Sequence, residues 1–165
     1  MRRIRPEEWE RLKALRLAAL ADTPSAFGST HEREVAFEDR EWIERAELGS
    51  RGVDRATFVA EDDATGELVG LVGGFRFPAD APHRDLVSMW TSPAVRRTGV
   101  GRALVTAVVE WAGPGVDVHL WVTQGNHPAQ RLYEAMGFEV TTDVQPHPND
   151  PCVNEVRMVR RASRA

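Results

Sequence analysis

The spacing of apolar and polar residues predicts an order of helices and strands along the chain. Arg2 to Arg5 form a short candidate strand, and Pro6 then opens a helix that runs to about Ala21. Apolar residues in this helix recur at intervals of three and four, namely Trp9, Leu12, Leu15, Ala19 and Leu20. This spacing places them on one face, so we expect the first helix to pack against the core through that face.

A second helix is predicted from about His31 to Leu48. Its candidate apolar side comprises Val35, Trp42, Ile43 and Ala46, and the glycine-containing segment that starts at Gly49 ends it. The residue types then change to those typical of strands. Ala56 to Glu61 and Glu67 to Phe77 predict an antiparallel hairpin, and Asp85 to Trp90 predict a fourth strand.

The last third of the chain alternates helices and strands. A helix follows Gly101, with Leu104, Val105 and Val108 on its buried side. The remaining predicted elements are a strand over Val116–Val122, a short helix over Pro128–Met136, and strands over Phe138–Val144 and Val153–Arg160, joined by a loop over Gln145–Cys152. Strands four and five enclose a helical crossover and should be parallel. We therefore predict one α/β domain over residues 1–165, with a mixed sheet of about seven strands and about four flanking helices.

Composition narrows the class of protein without identifying a function. The chain is 42% hydrophobic and 28% charged, which is typical of a folded globular domain. The lone cysteine, Cys152, excludes an intramolecular disulfide and a cysteine-rich zinc site, so we expect a reducing cytoplasm and no metal. The net charge of -4 and the absence of a long apolar run predict no nucleic-acid or membrane partner.

The segment between the fourth strand and the following helix has the features of a phosphate-binding turn. Gly99 and Gly101 let backbone approach a ligand closely, and the free amides at the start of a helix can donate to phosphate oxygens. Arg96, Arg97 and Arg102 add positive charge. The same residues are also compatible with a tight turn and solvated arginines. No Gly-Lys-Ser/Thr ending of a nucleotide P-loop is present, which favours a different phosphate ligand.

Two motifs in this part of the chain resemble those of the GNAT superfamily of acyl-CoA-dependent N-acetyltransferases. Arg96-Arg97-Thr98-Gly99-Val100-Gly101 matches the Arg/Gln-x-x-Gly-x-Gly/Ala signature that follows the fourth strand in that family. Leu132-Tyr133 followed by Gly137-Phe138 is similar to the second family motif. The predicted order of elements also resembles the family along nearly the whole chain.

The resemblance implies that acetyl-CoA is the acyl donor. Its pyrophosphate would lie on the backbone of the segment Arg96, Arg97, Thr98, Gly99, Val100, Gly101 and Arg102. Its pantetheine arm would follow the fourth strand near Trp90 and Thr91, between fourth and fifth strands that splay apart. Asn126 occupies the asparagine position of the family, where it would contact the pantetheine or cap the short helix.

The resemblance also assigns catalytic roles. Tyr133, the only tyrosine, occupies the position of the acid that protonates the leaving thiolate, although a purely packing role stays open. The general base is less defined, and we consider Asp85 and His83 first, with Glu34 and His119 as further candidates. An acyl-cysteine intermediate at Cys152 has little support.

The acceptor is expected to be a primary amine on a small molecule or peptide. In the family, the acceptor site is walled by segments that correspond here to Asp22–Thr30, His31–Leu48 and Gln145–Cys152. The second of these segments is rich in Glu, which favours an amine acceptor. A non-catalytic acyl-CoA-binding module on the same fold is the alternative function, and a homodimer is an expectation from the family alone.

Overall fold

The computed structural model describes residues 1–162, over which seven strands and five α-helices form. In chain order they are β1 (Arg2–Arg3), α1 (Trp9–Asp22), α2 (His31–Val35), α3 (Asp39–Arg51), β2 (Arg55–Glu61), β3 (Leu68–Phe75), β4 (His83–Thr91), α4 (Val100–Ala112), β5 (Asp117–Thr123), α5 (His127–Glu134), β6 (Glu139–His147) and β7 (Asp150–Arg160). None of the helices in residues 1–162 has the length and apolar character needed to cross a bilayer.

The strands form one mixed sheet in the order β1-β2-β3-β4-β5-β7-β6. Its neighbouring strands are antiparallel except β4 and β5, which are parallel because α4 connects them as a crossover. The predicted mixed sheet of about seven strands, with strands four and five parallel, is confirmed.

The β4–β5 pair separates after a short stretch of pairing. Only three residue pairs join the two strands, from His83 opposite Asp117 to Asp85 opposite His119. On its other side, β4 stays paired with β3 as far as Thr91, and a register shift interrupts that ladder near Ser88, whose φ is +56°. Such a bulge bends its strand, so β4 diverges from β5 beyond Asp85 and its backbone faces an open slot.

Each face of the sheet carries its own apolar cluster. On one face, α4 and α5 bury side chains that include Leu104, Val108 and Phe138. On the other, α1 and α3 pack over β2 and β3 through residues that include Leu15 and Leu20. The predicted buried residues of α1 and α4 therefore lie at the sheet, as their helical spacing indicated.

The prediction of a single second helix is wrong, because this segment forms two helices. The Thr30 side chain caps α2, and Glu38 adopts an extended conformation that starts α3 in a new direction. This break shifts the helical phase, so Val35 and Ile43 are 50% and 37% exposed rather than buried. The count of about four helices becomes five. The predicted loop over Gln145–Cys152 shortens to residues 148–149, because β6 and β7 continue into it.

Candidate active site

The loop between β4 and α4 presents a row of backbone amides. Arg97 and Gly99 have left-handed backbone, with φ of +66° and +97°, and Gly99 is the residue before the first turn of α4. Within residues 1–162, no well-aligned hydrogen bond engages the N–H groups from Arg97 to Arg102. Amides that point outward at a helix start, together with the helix dipole, form a binding site for an anion.

Gly101 allows this helix start to lie close to its neighbours. A Cβ atom at Gly101 would stand 3.2 Å from the Met89 side chain on β4 and 3.3 Å from the Leu132 side chain on α5. Gly99 differs, because nothing lies within 4 Å of the position of its Cβ and only its backbone conformation requires glycine. Glycine is therefore required at the two positions for different reasons, namely close packing at Gly101 and backbone conformation at Gly99.

Arg96 ties the loop to the end of α1. Its guanidinium forms an ion pair with the Asp22 carboxylate, which also accepts a hydrogen bond of 2.9 Å from the Trp90 indole nitrogen. The Trp90 hydrogen bond and the Arg96 pair hold the pKa of Asp22 below its ordinary value. Arg96 also donates to the Thr91 carbonyl oxygen at 3.3 Å. The arrangement connects three predicted cofactor residues through Asp22, which sequence reasoning did not identify.

Other predicted cofactor residues surround the same loop. The Thr98 hydroxyl donates to the Val95 carbonyl oxygen at 2.6 Å and so tightens the turn. Arg97 and Arg102 are exposed, and Val100 is partly buried against the core. The Asn126 side-chain oxygen accepts from the backbone of Ala129 and caps α5, which leaves its NH2 group as a donor.

Tyr133 lies on α5 with its ring in the apolar cluster. Its residue is 6% exposed, its ring centroid is 5.7 Å from that of Phe138, and its hydroxyl makes no hydrogen bond with residues 1–162. Burial raises the pKa of the Tyr133 phenol above its ordinary range. The phenol therefore stays protonated at neutral pH and keeps a hydrogen to donate.

A cavity of about 740 Å³ lies between the opened strands and helices α1, α2 and α3. Its floor is formed by β3, β4 and β5, where Gly73, Asp85 and Trp121 contribute. Phe27, Glu34 and other residues of the helical side form the opposite wall. The size and lining are those of a small-molecule site.

Asp85 stands at the point where β4 and β5 part, beside two histidines. The Nε2 atom of His83 lies 3.5 Å from its carboxylate, and the His83 ring stacks on His119 with centroids 4.1 Å apart. Arg157 on β7 contacts the Nδ1 atom of His119. His119 and Arg157 are thus part of the surroundings of Asp85, although they are distant in the chain.

Burial shifts the pKa values of this cluster in opposite directions. It raises the pKa of Asp85, an effect that the charges of His83 and Arg157 only partly oppose. For His119, burial and then the charges of His83 and Arg157 lower the pKa to about 4. At neutral pH the cluster therefore combines an uncharged His119 with a carboxylate that accepts a proton more readily than a free Asp.

The ligand atoms of His83, Asp85 and His119 lie within 4.8 Å of one another, so we considered a metal ion. The two stacked imidazole planes are only 19° apart, so the lone pairs of their ring nitrogens lie in two nearly parallel planes and cannot meet at one point. Arg157 adds a positive charge at His119. This arrangement suits proton transfer better than binding of a cation.

The helical wall of the cavity contains an ion-pair cluster, which we call the arginine triad: Arg16, Glu34 and Arg45. Arg16 donates two hydrogen bonds to the Glu34 carboxylate, of 2.8 and 3.1 Å, and Arg45 donates one of 3.0 Å. Burial alone would raise the pKa of Glu34, but these two arginines lower it, which disfavours Glu34 as a base. Arg16 falls within the apolar stripe of α1. An arginine on the buried face of a helix was the sequence signal that could have indicated a buried ion pair.

The acidic wall inferred from sequence does not face the cavity. Of the seven acidic residues from Glu32 to Glu47, Glu34 is buried and the other six are exposed or partly exposed. These six are Glu32, Glu38, Asp39, Glu41, Glu44 and Glu47. The break between α2 and α3 turns their side chains outward, so the charge of the cavity depends on other residues.

Comparison with known proteins identifies the family. Residues 12–138 match the model of the acetyltransferase (GNAT) family. A curated relative, the mycothiol acetyltransferase of Thermobispora bispora, is 33% identical over 131 residues, which are 76% of this chain and 41% of that protein. The chain therefore spans about two fifths of the length of that relative.

Solved structures show the same fold at low sequence identity. A protein from Salmonella typhimurium, solved with its cofactor acetyl-CoA, matches with a TM-score of 0.77 and 15% identity, over 99% of this chain and 94% of that chain. The spermidine N-acetyltransferase of Vibrio cholerae, solved with CoA and spermine, matches with a TM-score of 0.76 and 18% identity, over 98% and 94%. Because the family model covers most of the chain, the protein belongs to the GNAT acetyltransferase family.

Proposed function

We propose that the protein transfers the acetyl group of acetyl-CoA to a primary amine by direct attack in a ternary complex. One observation carries the proposal: the amide-rich loop before α4 and the cavity at Asp85 lie at opposite ends of the slot between β4 and β5. A donor that spans this slot would place its thioester beside the cavity. The amine acceptors named for relatives, such as spermidine, agree with this class of substrate.

The donor would bind mainly through backbone groups. The amides from Arg97 to Gly101 would hold the pyrophosphate, and exposed Arg97 and Arg102 would add charge. Beyond Asp85, the β4 backbone has no β5 partner, so its groups near Trp90 and Thr91 would pair with the amides of the pantetheine arm. A backbone amide of β4 would then donate to the thioester oxygen as negative charge develops there.

Asp85 is the proposed base. An amine is mostly protonated at neutral pH and must lose a proton before it attacks the thioester carbon. Asp85 lies in the cavity floor at the start of the slot, and its raised pKa favours proton acceptance. His83, 3.5 Å away, would orient the carboxylate and share the proton.

Tyr133 is the proposed acid. Attack forms the C–N bond, and collapse of the tetrahedral intermediate breaks the C–S bond and releases a thiolate. The Tyr133 phenol would donate its hydrogen to that sulfur. Asp85 holds the proton that the ammonium lost before attack. The second nitrogen proton, which becomes acidic in the tetrahedral intermediate, passes through water to the Tyr133 phenolate, and Asp85 then releases its proton to water.

Release of free CoA thiol across a panel of primary amines tests this function. Tyr133→Phe should keep acetyl-CoA affinity within about threefold and lower kcat by 10²-fold or more, a range typical of general acid catalysis. Phe138→Leu is a matched control, because it alters the same apolar cluster and leaves the phenol in place. Binding of acetyl-CoA without thiol release from any amine would contradict the proposal, and an unchanged kcat in Tyr133→Phe would remove the acid from it.

A further inference from the structure

The arginine triad in the cavity wall has one more positive charge than negative charge. Glu34 is 1% exposed and Arg16 is 8% exposed, so the pair is withdrawn from water. Glu34 already accepts three hydrogen bonds from Arg16 and Arg45. A single carboxylate cannot neutralise two guanidinium groups. The excess positive charge belongs to the cavity wall, where the Arg45 side chain is 38% exposed.

The same triad contains a donor without an acceptor. The Nη1 atom of Arg16 is buried and has no hydrogen-bond partner among residues 1–162. The guanidinium carbon of Arg16 lies over the Phe27 ring, 4.6 Å from its centroid. An unsatisfied buried donor costs about 1–3 kcal/mol, and more where the group is charged. Arg16, Phe27 and Glu34 all line the cavity, so an acceptor on a bound molecule would stand beside this guanidinium.

Charge in the cavity is divided between its two sides. Besides the triad, Arg33 lines the helical side, and neither it nor Arg55 at the start of β2 forms an ion pair within residues 1–162. The carboxylates of Asp85 and Glu155 are contributed by β4 and β7 in the sheet. On the sheet side, these two carboxylates outweigh the single charge of Arg55. The helical wall is therefore positive and the sheet side negative, an arrangement complementary to a molecule with an anionic end and an amine end.

We propose that the acceptor carries a carboxylate in addition to the amine that is acetylated, and that the arginine triad binds this carboxylate. The inference rests on the proposed function and adds the substrate class. The triad itself has one excess positive charge, which matches a monoanion such as a carboxylate. The amine at the other end of the acceptor then lies at Asp85, beside the thioester.

The first experiment compares amino carboxylates with their primary amides. The panel contains straight-chain amino acids whose amine and carboxylate are separated by one to five carbons, each with the matching amide. We expect kcat/KM for thiol release to be at least tenfold higher for the carboxylate at one or more chain lengths. Equal or higher values for the amides at every length would overturn the proposal.

The second experiment tests the triad itself. Arg45→Gln removes the excess charge and leaves Arg16 and Glu34 as a neutral pair, so we expect the carboxylate-to-amide ratio to fall several-fold. Arg51→Gln also removes a positive charge from α3, but Arg51 is exposed and outside the cavity, so the ratio should stay unchanged. A ratio that is unchanged in Arg45→Gln would overturn the role of the triad.

A binding measurement separates this inference from the proposed function and requires no variant. Trp42 and Trp121 line the cavity, so tryptophan fluorescence should respond to a straight-chain alkanoate and not to the matching alkanamide. Alkanoate binding without thiol release from any amine would reject the acetyl transfer and retain the anion site. Thiol release without discrimination between acid and amide, and no alkanoate binding, would reject the anion site and retain the transfer.

Discussion

A charge placed at Gly99 tests whether the loop before α4 binds a phosphate. Gly99→Glu, Gly99→Gln and Gly99→Ala share one structural cost, because each puts a Cβ on a residue with φ of +97°. That cost is about 1–2 kcal/mol. No atom lies within 4 Å of the added Cβ, so none of the three introduces a direct clash. The three variants therefore differ mainly in side-chain size and charge.

The expected magnitude follows from Coulomb's law. A carboxylate about 6 Å from a phosphate charge, at an effective dielectric constant of about 50, is repelled by about 1 kcal/mol. Two pyrophosphate charges give about 2 kcal/mol, which is about a 30-fold loss of acetyl-CoA affinity in Gly99→Glu relative to Gly99→Gln. The difference should shrink as salt is raised, because ions screen exposed charges.

Isothermal titration of the three variants with acetyl-CoA, at low and high salt, measures this effect. Thermal melts of the variants without ligand provide the control, since all three should lose similar stability. Equal affinities of Gly99→Glu and Gly99→Gln at low salt would refute the assignment of the pyrophosphate to this loop.

Three further predictions concern ionisable groups. Asp85→Asn should lower kcat by 10²-fold or more and abolish the rise of kcat with pH that accompanies deprotonation of Asp85; a profile like that of the unsubstituted protein would contradict this. Asp22→Asn keeps an acceptor for Trp90 but loses the charge that holds Arg96, so the KM for acetyl-CoA should rise several-fold with little change in kcat, and a change in kcat alone would contradict it. Folding lowers the pKa of His119 from 6.5 to about 4, so the unfolded chain binds a proton at a higher pH than the folded protein does. Up to about 3 kcal/mol of the free energy of unfolding is therefore present above pH 6.5 and is lost as the pH falls towards 4. Urea melts should show a weaker loss in His119→Gln than in the exposed-site control His127→Gln, and equal losses would refute the shift.

Local patterns in the chain determined most of the fold. The apolar spacing of α1 and α4 depends on the 3.6-residue turn, so their buried faces follow directly from sequence. The glycine-containing turn before α4 likewise predicts a loop at the start of a helix. Together with the second motif, it also predicts the family. The second helix was less predictable, because its break depends on three residues between α2 and α3 that no periodic signal marks.

The tertiary structure decided what surrounds each functional group. Asp85 and His119 are 34 positions apart in the chain, and Arg16 and Glu34 belong to different helices, so only packing of the elements makes them neighbours. The pKa shifts at Asp85 and His119 result from burial, which is a property of the assembled sheet and not of local sequence. The sequence alone determined most of the order of elements and the loop at the start of α4, because these depend on neighbours in the chain. The charge inside the cavity depends on which side chains the break between α2 and α3 turns inward, and that was decided only in the folded protein.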